Sequence, residues 1–233
     1  MSESLVVVFA VYPGVNQLDF TAPYEVLSRA PGARCIVASR TGEALTVDGG
    51  LRFEGLLRLA DVAACDLLCV PGGHGTADAV GDQELLAQLR RLDAGARYLA
   101  SVCTGSLLLG AAGLLQGRRA ACHWAWREHL RAFGALPDAV RVVRDGRVFS
   151  GGGVTAGIDL ALSVLAELAG DAYAQSVQLA LEYAPQPPFD AGRPDTAPAA
   201  VLAEVRARID AQRPAREAAL AAAASRLRGP ALS

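Results

Sequence analysis

The sequence contains no lysine, so arginine accounts for all 22 of its basic residues. Without lysine, Schiff-base catalysis, a phosphate-binding P-loop lysine and a Ser-Lys dyad are all excluded. The formal net charge is −2, and no basic patch indicates nucleic acid as a partner. No apolar run reaches the roughly 18 residues that a membrane-spanning helix needs. The sequence therefore predicts a protein without a nucleic-acid or membrane partner.

Cysteine and histidine are few, and their spacing gives no sign of a metal site. The five cysteines and three histidines do not follow the paired spacing of zinc ligands, so we expect neither a metal nor a cofactor. The first residues, Met-Ser-Glu-Ser, lack the basic start of a signal peptide, which favours a cytoplasmic protein with reduced cysteines. Cys35, Cys65 and Cys69 lie in or beside apolar strands and are predicted to belong to the core.

Strand-like and helix-like segments alternate along the chain, which predicts an α/β fold with a mostly parallel sheet and helices on both faces. Continuous apolar runs such as Leu5–Val11 and Asp66–Val70 are typical of buried central strands. A loop from Tyr12 to Leu18 is predicted after the first of these. Further strands are predicted at Arg34–Ser39, Arg97–Val102 and Arg119–Cys122, hairpins at Thr46–Phe53 and Val140–Phe149, and helices at Gln83–Ala94, Ala125–Phe133, Thr155–Leu168 and Ala172–Glu182.

A proline-rich segment, Pro185–Pro194, separates the main body of the sequence from its Ala- and Arg-rich tail. We predict an α/β domain over residues 1–190 and a helical extension over residues 191–233 that packs on the same domain. The tail is predicted to form one helix, Ala199–Leu227, with a break or kink at Pro214. Helices of this composition are more typical of packing or dimer contacts than of a functional module.

Cys103 stands between an apolar strand and a small-residue helix. Ser101 and Gly105, two positions on either side, are small enough for a sharp strand-to-helix turn. This pattern is typical of a nucleophile elbow, with cysteine in place of serine. A side chain at such a turn lies at a helix N-terminus, where backbone N–H groups favour an anion. The alternative is a buried cysteine that serves packing alone, because unpaired cysteine is among the most buried residue types.

Three loops are predicted to meet Cys103 at the carboxyl edge of the sheet, where ligands bind in open α/β folds. The first contains Asp19, which either reaches the pocket or caps the following helix. The second is the Pro-Gly-Gly loop with Gly72, Gly73 and His74, whose backbone N–H groups suit an anion or oxyanion cradle, unless the loop is an ordinary turn. The third is the Gly151–Gly153 loop, followed by Val154, where glycine permits close backbone approach to a ligand.

The histidines give little support to a Cys-His pair. None follows His129, and the residue after Cys103 is a threonine, Thr104. His123 ends a predicted strand and either reaches the pocket or packs at the strand end. His129 lies beside Glu128 and is predicted to face solvent. We therefore expect Cys103 to work with a carboxyl and a hydroxyl group rather than an imidazole.

These motifs resemble those of the ThiJ/PfpI superfamily and, within it, those of the isonitrile hydratase family. The resemblance extends over nearly the whole chain and implies a flavodoxin-like three-layer sandwich. The matching segments are Gln17–Pro23, Val70–Gly73, Ser101–Gly117, His123–Trp124, Gly151–Asp159 and Leu181–Pro185.

The resemblance implies hydration of an isocyanide to an N-substituted formamide through a covalent thioimidate on Cys103. Asp19 would deliver a proton and later help to activate water, and Thr104 would hold a hydrogen bond near either group. Val154 would contact the nucleophile through its backbone. The resemblance also implies a small-molecule substrate, no cofactor and a homodimer.

Two other functions stay open. A carbonyl-stress hydrolase or deglycase would belong to the same superfamily, but that branch carries histidine where this chain has Thr104. The same kind of domain also serves as a non-catalytic small-molecule-binding module in helix-turn-helix regulators. No basic DNA-binding region follows residue 190, which argues against a regulator.

Overall fold

The computed structural model describes residues 4–228. Its strands are β1 (Leu5–Ala10), β2 (Ala33–Ser39), β3 (Leu45–Thr46), β4 (Arg52–Phe53), β5 (Leu57–Arg58), β6 (Leu67–Val70), β7 (Tyr98–Val102), β8 (Arg119–Ala121), β9 (Leu136–Asp138), β10 (Val142–Asp145) and β11 (Val148–Gly151). Its α-helices are α1 (Gln17–Leu27), α2 (Thr76–Ala79), α3 (Gln83–Asp93), α4 (Gly105–Ala111), α5 (Ala156–Ala169), α6 (Asp171–Ala180), α7 (Ala199–Asp210) and α8 (Arg213–Arg228).

A seven-stranded sheet in the order β10-β11-β7-β6-β1-β2-β5 forms the centre of the molecule. Every neighbouring pair is parallel except β10 and β11, which form a hairpin. β6 is buried along its whole length and β1 along most of it, because helices cover both faces of the sheet. The predicted α/β fold with a mostly parallel sheet is confirmed.

The helices form two groups, one for each face of the sheet. On one face α1 packs against α5, and α5 packs against α6. On the other, α2, α3 and α8 contact α4, which packs on β6 and β7. Within the described residues, no helix combines the length and the hydropathy needed to cross a membrane.

Both predicted hairpins are present, but the end of one loop and the type of one helix were predicted wrongly. The loop predicted to extend to Leu18 ends earlier, because Asn16 Oδ1 accepts from the Leu18 N–H at 3.0 Å and starts α1 at Gln17. The helix predicted at Ala125–Phe133 is a 3₁₀ helix, Arg127–Phe133. The short strands β5 and β9 and the one-turn helix α2 were not predicted, because elements this short leave no periodic pattern.

The tail forms two helices rather than one. α7 ends at Asp210 and α8 starts at Arg213, so the predicted break falls just before Pro214. Pro214 lies in the first turn of α8, where its missing N–H removes no helical hydrogen bond. The buried residues of α8 follow the spacing of a helix stripe and contact α2, α4 and the 3₁₀ helix; they are Arg216, Leu220, Ala223 and Ala224. In contrast, α7 buries no residue.

Candidate active site

Cys103 occupies the turn between β7 and α4, as the elbow pattern predicts. Its φ is +58°, a region that residues other than glycine rarely adopt. Gly105 is required two residues later, because a Cβ there would lie 2.1 Å from the carbonyl oxygen of Val70. Strained backbone of this kind is typical of functional sites, where the surrounding structure holds it in place.

The thiol of Cys103 is buried, with 6% of the residue exposed. Burial raises the pKa of the thiol well above its usual range, and the negative charge of Asp19 raises it further. The backbone N–H of Thr104 donates to the sulfur and acts in the opposite direction. The resting thiol is therefore protonated at neutral pH.

Asp19 lies in the first turn of α1 and is completely buried. Its Oδ2 accepts a hydrogen bond from the Gly72 N–H at 3.1 Å, and the carboxyl contacts the Cys103 side chain. Its Oδ1 is buried without a hydrogen-bond partner among residues 4–228. Burial raises the pKa of Asp19 to about 7, although the contacts with Cys103 and Gly72 lower it. Because Asn16 caps α1, the Asp19 side chain does not serve as the helix cap and is available to the active site.

The Pro-Gly-Gly loop holds the other side chains of the site. While Gly72 N–H donates to Asp19, Gly73 N–H donates to Thr104 Oγ1 at 3.0 Å. A Cβ on Gly72 would lie 2.5 Å from the Thr104 nitrogen and 2.9 Å from Asp19 Oδ2, so only glycine allows this approach. The two N–H groups predicted as an oxyanion cradle thus bind the site's own side chains in this structure.

A chain of buried hydroxyl groups continues from Thr104 into the protein. Thr104 Oγ1 lies 2.8 Å from Thr76 Oγ1, which lies 3.0 Å from the Tyr12 hydroxyl. Tyr12 donates to the carbonyl oxygen of Pro71 at 2.8 Å, and burial raises its pKa. Tyr12 and Thr76 therefore fix the Thr104 hydroxyl, and no sequence pattern had pointed to either residue.

A cavity of about 240 Å³ opens onto Cys103. It brings together the predicted residues Cys103, Thr104, Gly73, His74 and Val154. Asp19 and Gly72 do not line the cavity. Asp19 contacts Cys103 and Gly72 contacts Thr104, so both lie directly behind the lining residues. The other lining residues are Asn16, Asp48, His123, Trp124, Trp126, Val205, Ile209, Gln212 and Arg216.

The three histidines differ in their surroundings. His123 lines the cavity, and burial, reinforced by the charge of Arg216, lowers its pKa to about 4, so it is neutral. His74 is exposed at the rim, with its Nδ1 2.6 Å from Asp48 Oδ2. His129 was predicted to face solvent; this is wrong, because Trp126 and Glu217 partly cover it. In residues 4–228, no cluster of three or more His, Cys, Asp or Glu side chains could hold a metal.

The C-terminal helices supply part of the cavity wall, which sequence reasoning missed. Val205 and Ile209 come from α7, Gln212 from the link between the helices, and Arg216 from α8. The tail was predicted to serve packing or dimer contacts only. One signal was available: Arg216 lies on the same helical stripe as Leu220, and an arginine on an apolar stripe is unusual.

Comparison with known proteins places these residues in a family context. The sequence matches the DJ-1/PfpI family over residues 5–167. It is 50% identical over 200 residues to the isonitrile hydratase of Pseudomonas putida, covering 86% of this chain and 88% of that protein. It is 32% identical over 178 residues to the HTH-type transcriptional regulator CdhR of Pseudomonas aeruginosa, covering 72% of this chain but 52% of the regulator.

The fold agrees with these matches. The crystal structure of a ThiJ/PfpI family protein from Pseudomonas syringae superposes with a TM-score of 0.89 at 39% identity. The superposition covers 95% of this chain and 91% of that one, so it includes most of the C-terminal helices as well as the sheet.

Proposed function

Because the chain belongs to the DJ-1/PfpI family, we propose that it is an enzyme that hydrates an isocyanide to the N-substituted formamide. The observation that carries this proposal is the pairing of a buried cysteine at an elbow with a buried carboxyl whose pKa is about 7. The 50% identity to an isonitrile hydratase supports the choice of substrate.

The first step joins the thiol to the terminal carbon of the isocyanide. The sulfur of Cys103 attacks this carbon while its proton passes by way of the Asp19 carboxyl to the same carbon, which gives R–N=CH–S–Cys103. Asp19 suits this transfer because a pKa near neutral pH lets it both accept and release a proton. Burial of both groups keeps competing water away from the proton.

The second step releases the product. Water adds its oxygen to the thioimidate carbon, and Asp19 takes a proton from this water and passes it to the nitrogen. The C–S bond of the resulting R–NH–CH(OH)–S–Cys103 then breaks, which restores the thiol and releases R–NH–CHO. The sum is isocyanide plus water to formamide, with no cofactor or redox change.

The remaining predicted site residues have supporting roles in this proposal. Gly72 fixes Asp19, and Gly73 with Thr104 fixes the backbone beside the nucleophile. Val154 forms part of the cavity wall, and the exposed His74 borders the entrance. A direct oxyanion role for Gly72 and Gly73 stays a prediction, and it would require them to exchange their present partners.

The cavity wall suits an uncharged substituent on the isocyanide nitrogen. Val205, Ile209 and Trp124 present apolar surface, and each is only partly buried, which leaves room for a ligand to cover it. The homodimer that the resemblance implies and the cytoplasmic location inferred from the first residues stay predictions.

The direct test is conversion of an alkyl or aryl isocyanide to its formamide, measured by NMR. We expect Cys103→Ala and Cys103→Ser to abolish formamide production and to keep the wild-type circular dichroism spectrum. Cys122→Ala is the matched control, since Cys122 is buried but does not line the cavity. Equal loss of activity in folded Cys122→Ala would contradict the assignment of the nucleophile.

Methylglyoxal and glutamine provide the comparison that separates branches of the superfamily. We expect little turnover of either, because Thr104 stands where a Cys-His pair would need its imidazole. Turnover of methylglyoxal at the isocyanide rate would favour the carbonyl-stress hydrolase instead.

A further inference from the structure

Arg216 is a buried arginine that connects the C-terminal helix α8 to the loop beside the active site. It is 8% exposed, and its Nη2 donates to the carbonyl oxygens of Gly73 at 3.2 Å and His74 at 3.0 Å. This is the loop whose N–H groups hold Asp19 and Thr104. Arg216 therefore holds the carbonyl groups of this loop in place, while the N–H groups of the loop orient the Asp19 carboxyl and the Thr104 hydroxyl.

The charge of Arg216 has no carboxylate partner within ion-pair distance in the described part of the chain. Its guanidinium lies over the Trp126 ring at 4.5 Å, and the two carbonyl groups supply only partial negative charge. Burial lowers the pKa of Arg216, yet an arginine stays charged under all ordinary conditions. A buried cation in this position is stabilised whenever an anion forms in the same cavity.

Cys103 lines the same cavity as this cation, and its sulfur gains negative charge as it loses its proton during the attack. Burial and Asp19 both oppose its ionisation, and the Thr104 N–H favours it. The positive charge of Arg216, which lines the same cavity and interacts with Cys103, also favours it, because electrostatic interactions between largely buried groups are weakly screened. Asp48, His74 and His123 are the other titratable groups that line the cavity, and Tyr12 and Cys122 lie outside it but close enough to interact with Arg216.

We propose that Arg216 is a positioning residue of this site: it pins the Gly73–His74 backbone and supplies the positive charge that favours an ionised Cys103. The proposal rests on the role of Cys103 as nucleophile under the proposed function. It assigns to α8 a part in the chemistry as well as in packing.

The test compares Arg216→Gln, Arg216→Lys and wild type by the rate at which iodoacetamide alkylates Cys103. Peptide mass spectrometry assigns the alkylation to Cys103, and the rate is followed across about pH 6 to 10. Glutamine keeps an N–H donor for the two carbonyl groups but removes the charge. We expect Arg216→Gln to raise the midpoint of the curve of alkylation rate against pH by about one unit. At a fixed pH below the midpoint, this shift lowers the rate about tenfold. Arg216→Lys keeps the charge and should restore the midpoint.

Arg213→Gln is the matched control. Arg213 lies one turn away on α8, over the same Trp126 ring at 5.3 Å, but pairs with Asp210 and Glu217 and does not line the cavity. Arg213→Gln removes the same charge from the same helix, and it should leave the alkylation midpoint and the rate of formamide production unchanged. Arg216→Gln should lower kcat/KM for the isocyanide about tenfold, in parallel with the alkylation rate.

A wild-type midpoint in folded Arg216→Gln would overturn the proposal, as would an equal shift in Arg213→Gln or no recovery in Arg216→Lys. If Arg216→Gln does not fold, Arg216→Met takes its place as the neutral variant: a raised midpoint supports the proposal and a wild-type midpoint overturns it. Alkylation requires no isocyanide, so this result stands apart from failure of the proposed function, which would appear as no formamide from wild type.

Discussion

At the scale of single residues, the site depends on two buried groups that interact with each other. Asp19 and Cys103 both have raised pKa values because both are buried, and an anion on either one disfavours an anion on the other. The two groups therefore titrate as a coupled pair that does not lose both of its protons together. This arrangement supplies a proton donor without an imidazole.

Asp19→Asn tests that arrangement through activity. The amide keeps an oxygen for the Gly72 N–H but cannot carry a proton between thiol and substrate. We expect kcat for the isocyanide to fall by about 10²–10⁴, the usual range for a general acid–base group. Steady-state kinetics measures this, and KM should change far less. Wild-type turnover would reduce Asp19 to a packing role and make His123 the next candidate.

The same substitution has a pH-dependent effect on stability. The pKa of Asp19 is about 7 in the folded protein and about 3.9 in an unfolded chain. Between these values the folded protein binds a proton that the unfolded chain has released, so this carboxyl makes the protein less stable as pH rises from about 4 to about 7. Above that range its destabilising effect is constant.

Asp19→Asn removes this titration, so the variant should gain stability over wild type as pH rises through that range. The gain should reach a few kcal/mol above pH 7, at about 1.4 kcal/mol per pKa unit, and vanish near pH 4. Urea unfolding at several pH values measures it. A constant difference between variant and wild type would mean that the carboxyl has an ordinary pKa.

At the scale of elements, α8 packs against the main body through a narrow stripe. Leu220, 1% exposed, is the largest apolar side chain of that stripe. Leu220→Ala should lower the free energy of unfolding by about 2–5 kcal/mol, because the surroundings cannot fully close the cavity. Urea unfolding provides the measurement. Leu179→Ala is the control: Leu179 is 81% exposed, and its removal should change stability by less than about 0.5 kcal/mol.

The elements that sequence reasoning located correctly are those with local signals. β1 and β6 are continuous apolar runs, and the elbow at Cys103 is specified by the small residues on either side of it. The cavity wall from α7 carries no comparable signal. Val205 and Ile209 are ordinary residues of a helix without buried positions, and they reach the site only through contacts distant in sequence. Asp19 stood between two local interpretations, and the cap formed by Asn16 decided between them.

At the scale of the whole molecule, the charged surface pairs arginines with carboxylates. Most pairs are exposed, as in Arg58–Asp61 and Arg208–Glu204, and such pairs contribute little to stability. The pair between Arg147 and the buried Asp93 is better shielded and is bidentate, at 2.8 and 2.6 Å.

We therefore expect about 1 M NaCl, which reduces the Debye length to about 3 Å, to change the free energy of unfolding by less than about 1 kcal/mol. Thermal unfolding at low and high salt measures the effect, with sucrose of equal osmolality as a control for solvent exclusion. A loss of several kcal/mol would mean that the exposed pairs act as a cooperative network.

The positions of Asp19 and Arg216 along the chain have a consequence for biosynthesis. A ribosome makes Asp19, the glycine loop and the elbow early, but it adds α7 and Arg216 only after the last strand of the sheet. A nascent chain with a folded sheet therefore carries Cys103 in an unfinished pocket, without the cation and with one side uncovered. Under the role proposed for Arg216, Cys103 reaches its full reactivity only after α8 has been translated and has docked, so a chain truncated in the tail should carry a less reactive thiol.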